Sequence, residues 1–127
     1  MADFSDDVWE FTRGDTTTRR FTVRNRVTGA AVDITSWSAF RFTAKSRVSD
    51  ADVDAVLSET LSGGGVVKTT PASGILDVTI AAADTAALEF ETYELYADLQ
   101  GVDGSSNVWT VWKGRVVINP DASRTSP

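Results

Sequence analysis

Apolar and polar side chains alternate along most of this chain, and this period of two constrains the fold more than any other feature. The run at 39–45, AFRFTAK, places Phe40, Phe42 and Ala44 on one side and longer polar side chains on the other. Because successive side chains of a strand point to opposite faces, such a run predicts a half-buried β-strand. An amphipathic helix would instead repeat about every 3.6 residues.

Six runs of this kind predict strands, at residues 8–12, 19–24, 39–45, 75–80, 92–100 and 107–119. Turn-forming residues separate them, such as the glycines of 63–65 and the segment 101–105. Two stretches have weaker patterns: 46–61 fits a strand with an irregular lead-in or a surface loop, and the alanine-rich 81–88 fits one helical turn. Spacings of about ten residues between short strands are typical of an all-β sandwich or barrel.

The length of 127 residues is enough for one domain with its own core and too short for two ordinary ones. We therefore expect a single domain over 1–127, with polar arms at 1–7 and 120–127. The first residues are acidic, so no signal peptide is expected. No apolar run approaches the roughly 18 residues that a membrane helix needs, so no membrane partner is expected.

Cysteine and histidine are both absent, which excludes several classes of chemistry. Their absence excludes disulfides, thiolate nucleophiles, zinc sites built on Cys or His, and catalytic triads with a His base. No cofactor is expected. The net charge of −6 argues against a nucleic-acid partner, because phosphates need a cationic surface. The charge is uneven, however: residues 1–49 carry eight Lys or Arg against six Asp or Glu, and residues 50–127 carry four against twelve. A local basic face is therefore compatible with the sequence.

The acidic residues do not predict a catalytic or metal site. Asp50, Asp52 and Asp54 alternate as in the opening of a calcium loop. Such a loop needs glycine at its sixth position and glutamate at its twelfth, where this sequence has Ala55 and Leu61. No carboxyl group lies in an apolar stretch that would raise its pKa for glycosidase-like catalysis. We therefore expect a protein that is not an enzyme and holds no metal.

Four tryptophans and one tripeptide supply the candidate contact residues. In the last run, Val108, Thr110 and Trp112 fall on the more apolar face, so Trp112 is expected to be buried. The opposite face mixes apolar and basic side chains, a combination enriched in protein interfaces, and Trp109 is its foremost candidate. The Arg-Gly-Asp tripeptide at 13–15 matches an integrin-binding motif, but it is expected to form a turn. The candidates are Trp109, Val111 and Arg115 on this face, with Trp37, Arg13 and Asp15 outside it.

Five short motifs follow one another in a characteristic order: RGDT at 13–16, VDIT at 32–35, DTAAL at 84–88, YEL at 93–95 and GRVVI at 114–118. Together they resemble the small immunoglobulin-like domain of tailed-phage virion proteins and are similar to the N-terminal domain of siphophage baseplate upper proteins. The resemblance extends over residues 8–120. It implies an immunoglobulin-like β-sandwich of about seven to eight antiparallel strands.

The resemblance also implies a function. The protein is expected to be a non-enzymatic structural component of a tailed-phage virion, of the tail or baseplate type, assembled in the host cytoplasm. Its partners would be other virion proteins, and self-association stays open. The baseplate proteins continue with a receptor-directed part that this sequence lacks, so a capsid decoration or cement protein is the first alternative. A carbohydrate-binding module for host adsorption is the alternative of another class, and it needs exposed aromatics such as Trp37 and Trp109 on one surface.

Overall fold

Two β-sheets pack face to face in the computed structural model, which describes residues 7–51, 54–89 and 91–121. The predicted arms at 1–7 and 120–127 lie outside the described residues except for Asp7, Pro120 and Asp121, and so does Asp52 of the calcium-loop comparison. The strands are β1 (Val8–Thr12), β2 (Thr17–Thr22), β3 (Ala39–Lys45), β4 (Leu57–Thr60), β5 (Val66–Thr70), β6 (Ile75–Ile80), β7 (Tyr93–Val102) and β8 (Val108–Asn119). A short helix, α1 (Ala82–Ala86), lies between β6 and β7.

The larger sheet has the strand order β1-β8-β7-β3-β4 and the smaller one β2-β6-β5, which confirms the all-β sandwich and the expected number of strands. Most pairs are antiparallel, but β1 runs parallel to β8, with Val8 beside Arg115 and Thr12 beside Asn119. A purely antiparallel arrangement was expected. The turn at 13–16 carries the chain from one sheet to the other, so β1 does not form a hairpin with β2 and pairs instead with the edge of β8.

The core lies between the sheets and is built from the inward faces that the alternation predicts. The inward residues of β3 and β6 are at most 2% exposed, and Leu95, Ala97 and Leu99 of β7 continue the same layer. Tyr93 and Trp112, also expected in the core, are half-buried and pack against it. The alternation therefore predicts the orientation of these strands correctly, and it is less accurate for burial near their ends.

The two segments with weaker sequence patterns, 46–61 and 81–88, contain a strand and a helix respectively. The segment 46–61 ends in β4, which confirms the strand with an irregular lead-in. Helix α1 forms within 81–88 as expected, and the Asp84 carboxylate accepts a hydrogen bond of 3.0 Å from the backbone N–H of Ala81. Strand β5 is an addition that the pattern does not predict, because Val66 is its only buried residue and no alternation marks it.

A β-bulge in β8 corrects one expectation. Trp112 pairs in step with β7, but Gln100 of β7 pairs with Thr110, so Val111 is an extra residue. The side chains that precede the bulge are therefore shifted to the opposite faces of the sheet. Val108 and Thr110 lie on the outer face and do not share the face of Trp112, so the apolar face predicted for all three is wrong.

Candidate interaction surfaces

Large apolar side chains are exposed together at the end of the β7–β8 hairpin. Val108 is 64% and Trp109 52% exposed, and Val102 pairs with Val108 across the hairpin. We call these three residues the hairpin patch. Val102 and Val108 lie on the outer face of the larger sheet, whereas Trp109 lies opposite Gly101 on the other face. Large apolar side chains exposed at one end of a domain mark a candidate interaction site.

Asp103 holds the indole ring of Trp109 in place. Its Oδ2 accepts a hydrogen bond of 2.9 Å from Trp109 Nε1, and its Oδ1 accepts bonds of 2.9 Å from the backbone N–H groups of Ser105 and Asn107. The hydrogen bond from Trp109, with those from the loop, lowers the pKa of Asp103 below its usual value. A side chain fixed in this way loses little further freedom when a partner covers it.

A shallow groove of about 360 Å³ adjoins the hairpin patch on the outer face. Val102 and Val108 line one side of the groove, and Leu61, from the turn after β4, lines the other. Phe40 of β3 contributes to the lining between them. The groove therefore extends the apolar surface of the hairpin patch across β3 toward the edge of the sheet at β4.

Trp37 lies near the hairpin patch but inside the protein. Its side chain is 8% exposed and stacks on Phe40, with ring centroids 5.5 Å apart. Its ring also lies against Gly101, where an added Cβ would meet it at 2.7 Å. The fold thus brings Trp37 and Trp109 to the same end of the sandwich, but Trp37 does not offer a surface. The ring of Trp37 packs in the core, which leaves little of it for a partner to contact.

The side chain of Arg13 is buried and bonds other groups of the protein. It is 6% exposed, its Nε donates to Asp121 Oδ1 at 2.9 Å, and its guanidinium also donates to the backbone carbonyl of Ala86 at the end of α1. The backbone N–H of Gly14 donates to Thr85 Oγ1 at 2.8 Å, so the turn is docked on α1. The guanidinium of Arg13 is therefore used within the fold, which leaves little of it for a partner to contact.

The remaining candidates lie in three different places. Asp15 is exposed in the turn, whereas Val111, the bulge residue, is half-buried against the core. Arg115 lies on the outer face with its guanidinium 6.0 Å from the centre of the Tyr96 ring. The structure does not bring the six candidates together, and Trp109 alone belongs to the hairpin patch.

A cationic array covers the outer face of β3, β7 and β8, and sequence reasoning assigned it no function. It consists of three cross-strand rows: Arg41–Gln100–Thr110, Thr43–Asp98–Lys113 and Lys45–Tyr96–Arg115. A groove of about 200 Å³ runs along β3 and β7 within these rows. The alternation predicts that Arg41 and Lys45 point outward. Only the pairing of β3 with β7, and of β7 with β8, shows that they share a surface with Lys113 and Arg115.

Glu59 of β4 is a carboxyl group in a half-buried position. It pairs with Phe42 of the neighbouring strand and lies beside the Asp84 carboxylate of α1. Burial, together with the hydrogen bond and the negative charge of Asp84, raises the pKa of Glu59 to about 7. No apolar stretch of the sequence predicts this raised pKa, because it arises from burial in the fold and from Asp84 on a different element. Within the described residues, no group of three or more ligating side chains could hold a metal ion.

No known protein family matches this chain, and no curated protein matches it. In the described part of the chain, no helix is both long enough and apolar enough to cross a membrane. The surfaces of the sandwich and the order of its motifs are therefore what point to a function.

Proposed function

We propose that this protein is a non-enzymatic structural component of a tailed-phage particle, a tail- or baseplate-type immunoglobulin-like module that binds neighbouring virion subunits. The observation that carries the proposal is the hairpin patch, where Asp103 fixes a half-exposed Trp109 beside the exposed Val108. Tryptophan is prominent among the residues that dominate binding energy at protein interfaces, and pre-organised contacts cost the least entropy.

The places of the motif residues in the fold support the phage resemblance. Asp33 Oδ1 accepts the backbone N–H of Thr35 at 2.9 Å and so closes the turn before Trp37. Thr85 is fully buried and accepts the N–H of Gly14, which links two of the motifs directly. At Gly114, an added Cβ would lie 2.3 Å from the Trp112 ring. Two motifs far apart in sequence, RGDT and DTAAL, are thus joined directly in the fold.

Copy number distinguishes the tail or baseplate placement from a capsid decoration protein. The measurement is quantitative mass spectrometry of purified particles of the phage that encodes the chain, with the major capsid protein as reference. A few to a few dozen copies per particle support the tail or baseplate. A ratio near one, or a simple fraction of it, supports the head. Absence from the particle contradicts both placements.

Incorporation of variants tests the hairpin patch itself. Trp109→Ala removes the aromatic anchor and is expected to reduce the amount of this chain in particles about tenfold, equivalent to about 1.4 kcal/mol of contact energy. Val27→Ala, at a valine that is 94% exposed outside the patch, is the control and is expected to change nothing. Equal incorporation of both variants would show that the hairpin patch is not the contact.

Of the two aromatic rings assigned to the carbohydrate-binding alternative, the structure exposes Trp109 and buries Trp37. Trp37 is buried, so Trp109 lacks the aromatic neighbour that this alternative assigned to it. Tryptophan emission is therefore expected to stay constant when sugars are added at millimolar concentration. Quenching that disappears in Trp109→Phe would instead favour the carbohydrate-binding module.

A further inference from the structure

We propose that the outer face of β3 and β7 binds an acidic, extended segment of a partner protein, with two carboxylates four residues apart that contact Arg41 and Lys45. This surface adjoins the hairpin patch, because Arg41 and Gln100 also line the groove beside Val102 and Val108. The proposal goes beyond the function proposed above and does not depend on placement in a phage particle.

The charge of this surface is opposite to that of the whole molecule. The three rows hold four cations, Arg41, Lys45, Lys113 and Arg115, and one acid, Asp98, in a chain with a net charge of −6. Two further acids of the same face, Glu10 and Glu94, lie beside Val117, and Glu94 Oε1 is 3.6 Å from Arg115 Nη2, so it offsets part of the charge of that cation. The positive charge is therefore concentrated over one part of the sheet, and such a reversal of sign favours an acidic partner.

The spacing of Arg41 and Lys45 along β3 matches that of alternate side chains in an extended peptide. Arg41 and Lys45 lie two positions on either side of Thr43, so their Cα atoms are about 13 Å apart along the strand. An extended partner segment places its side chains i and i+4 on one face at the same spacing. Its residue i+2 would lie over Thr43 and Asp98, where the negative charge of Asp98 disfavours a third acid.

The two cations suit carboxylates in different ways. Arg41 and Lys45 both already make contacts within the protein, but a guanidinium has five N–H donors and an ammonium three. The remaining donors of Arg41 can bind both oxygens of a carboxylate, whereas the ammonium of Lys45 acts as a point charge. One donor of Lys45 goes to the backbone carbonyl of Asp50 at 2.8 Å, which positions the ammonium at the end of the groove. Tyr96 lies directly across from Lys45 and adds an aromatic surface there.

A nucleic-acid strand would meet the same cations but is the less favoured occupant. Nucleic acids carry a dense line of negative charge, and a chain with a net charge of −6 repels such a polymer as a whole. A peptide with two carboxylates meets far less repulsion and matches the spacing of Arg41 and Lys45. The two occupants are distinguished by the test below.

Fluorescence anisotropy with labelled probes at 20 mM and 150 mM NaCl tests the proposal. The main probe is a nine-residue threonine peptide with glutamate at its third and seventh positions. An isomer with the two glutamates adjacent and an oligothymidine of equal length are the comparisons. We expect the spaced peptide to bind at least about fivefold more tightly than the isomer and more tightly than the oligothymidine, with weaker binding at the higher salt concentration.

Paired variants with equal charge loss locate the site. Arg41→Gln with Lys45→Gln is expected to weaken binding of the spaced peptide at least about tenfold. Arg20→Gln with Arg24→Gln, outside this face, is expected to weaken it less than about twofold. Thermal unfolding verifies that each variant folds. If the double variant does not fold, Lys45→Gln alone replaces it, with a smaller expected loss of affinity for the spaced peptide.

Three results would overturn the proposal. Equal affinity for the two peptides would mean that the surface attracts charge without reading its spacing. An equal loss in the Arg20 and Arg24 variant would place the binding elsewhere. Tighter binding of oligothymidine than of the spaced peptide would assign the array to nucleic acid.

Discussion

Three arginines show how the surroundings decide what a charged side chain contributes. Arg13 is enclosed beside α1, whereas the side chain of Arg20 is 61% exposed. Arg19 lies between them in exposure. Its guanidinium is 5.3 Å from the centre of the Trp112 ring and donates to both carboxylate oxygens of Asp7, at 2.8 and 2.9 Å. The sequence places all three in or beside strands but cannot show which one is enclosed, because enclosure depends on elements distant in the chain.

Arg13→Ala is expected to lower the free energy of unfolding by about 2 to 4 kcal/mol, since it leaves the Asp121 carboxylate and the Ala86 carbonyl without their buried partner. Urea unfolding measures the change. Arg20→Ala, at an exposed ion pair with Asp77, is the matched control and should have a much smaller effect. Equal effects of the two substitutions would mean that enclosure of Arg13 adds nothing to stability.

Glu59→Gln is expected to stabilise the protein above pH 7 and not below pH 4.5. The pKa of Glu59 is raised from 4.5 to about 7 in the folded state, so the parent protein loses stability as the pH rises through this window. Glutamine keeps the size of the side chain and removes its charge beside Asp84. Melting temperatures at pH 4 and pH 8 test this, with Glu89→Gln at an exposed position as the control. If the difference in melting temperature between parent and variant does not change with pH, the raised pKa of Glu59 is contradicted.

At the scale of the element, strand β8 shows both the strength and the limit of pattern analysis. From Trp112 onward the alternation predicts its faces correctly, because each inward residue faces the core. Before Trp112, the bulge at Val111 reverses the face to which each side chain points. No feature of the sequence VWTVWK predicts this bulge. The alternation predicts Trp109 on the face of Arg115, whereas the bulge places it on the opposite face. The hydrogen bond from Trp109 to Asp103 could not be predicted, since the loop conformation determines which groups reach the indole.

The hairpin end depends on a glycine at a strand position. At Gly101 an added Cβ would lie 2.7 Å from atoms of both the Phe40 and Trp37 rings. Gly101→Ala is therefore expected to lower the free energy of unfolding by about 1 to 3 kcal/mol through displacement of this stacked pair. Gly104→Ala, whose added Cβ would lie 3.2 Å from the Ser36 hydroxyl, is the control in the same hairpin. If urea unfolding shows that Gly101→Ala loses no more free energy of unfolding than Gly104→Ala, the Phe40 and Trp37 rings can move aside without cost.

For the whole molecule, the sequence predicts the architecture better than the surfaces. Alternation and the short strand spacing are enough to predict an all-β sandwich or barrel, because every buried strand face must pack against another layer. Strand order is not encoded in any single run, so the array formed by β3, β7 and β8 could not be assembled beforehand. Glu59 was missed for the same reason: its raised pKa arises from Asp84, which lies on a different element.

We expect the whole protein to be most stable in mildly acidic solution, because two sets of carboxyl groups change its stability with pH in opposite directions. Despite the opposing effect of burial, hydrogen bonds from Trp112 and Arg19 lower the pKa of Asp7, and hydrogen bonds lower the pKa values of Asp77 and Asp103. Their stabilising contribution is present above about pH 4 and is lost as the pH falls further. Glu59 acts in the opposite direction between pH 4.5 and about 7. A melting temperature that rises steadily from pH 3 to pH 8 would contradict this balance.

The parallel pairing of β1 with β8 has a mechanical consequence. Because the two strands run in the same direction, the chain enters the domain beside Arg115 and leaves it beyond Asn119, at opposite ends of their shared ladder. Tension applied between residues 7 and 121 therefore pulls the two strands past each other in shear, so that the backbone hydrogen bonds resist together. In an antiparallel pair of terminal strands, the same tension would peel the bonds apart one at a time. The domain is thus arranged to transmit a pulling force through its first and last strands without opening its core.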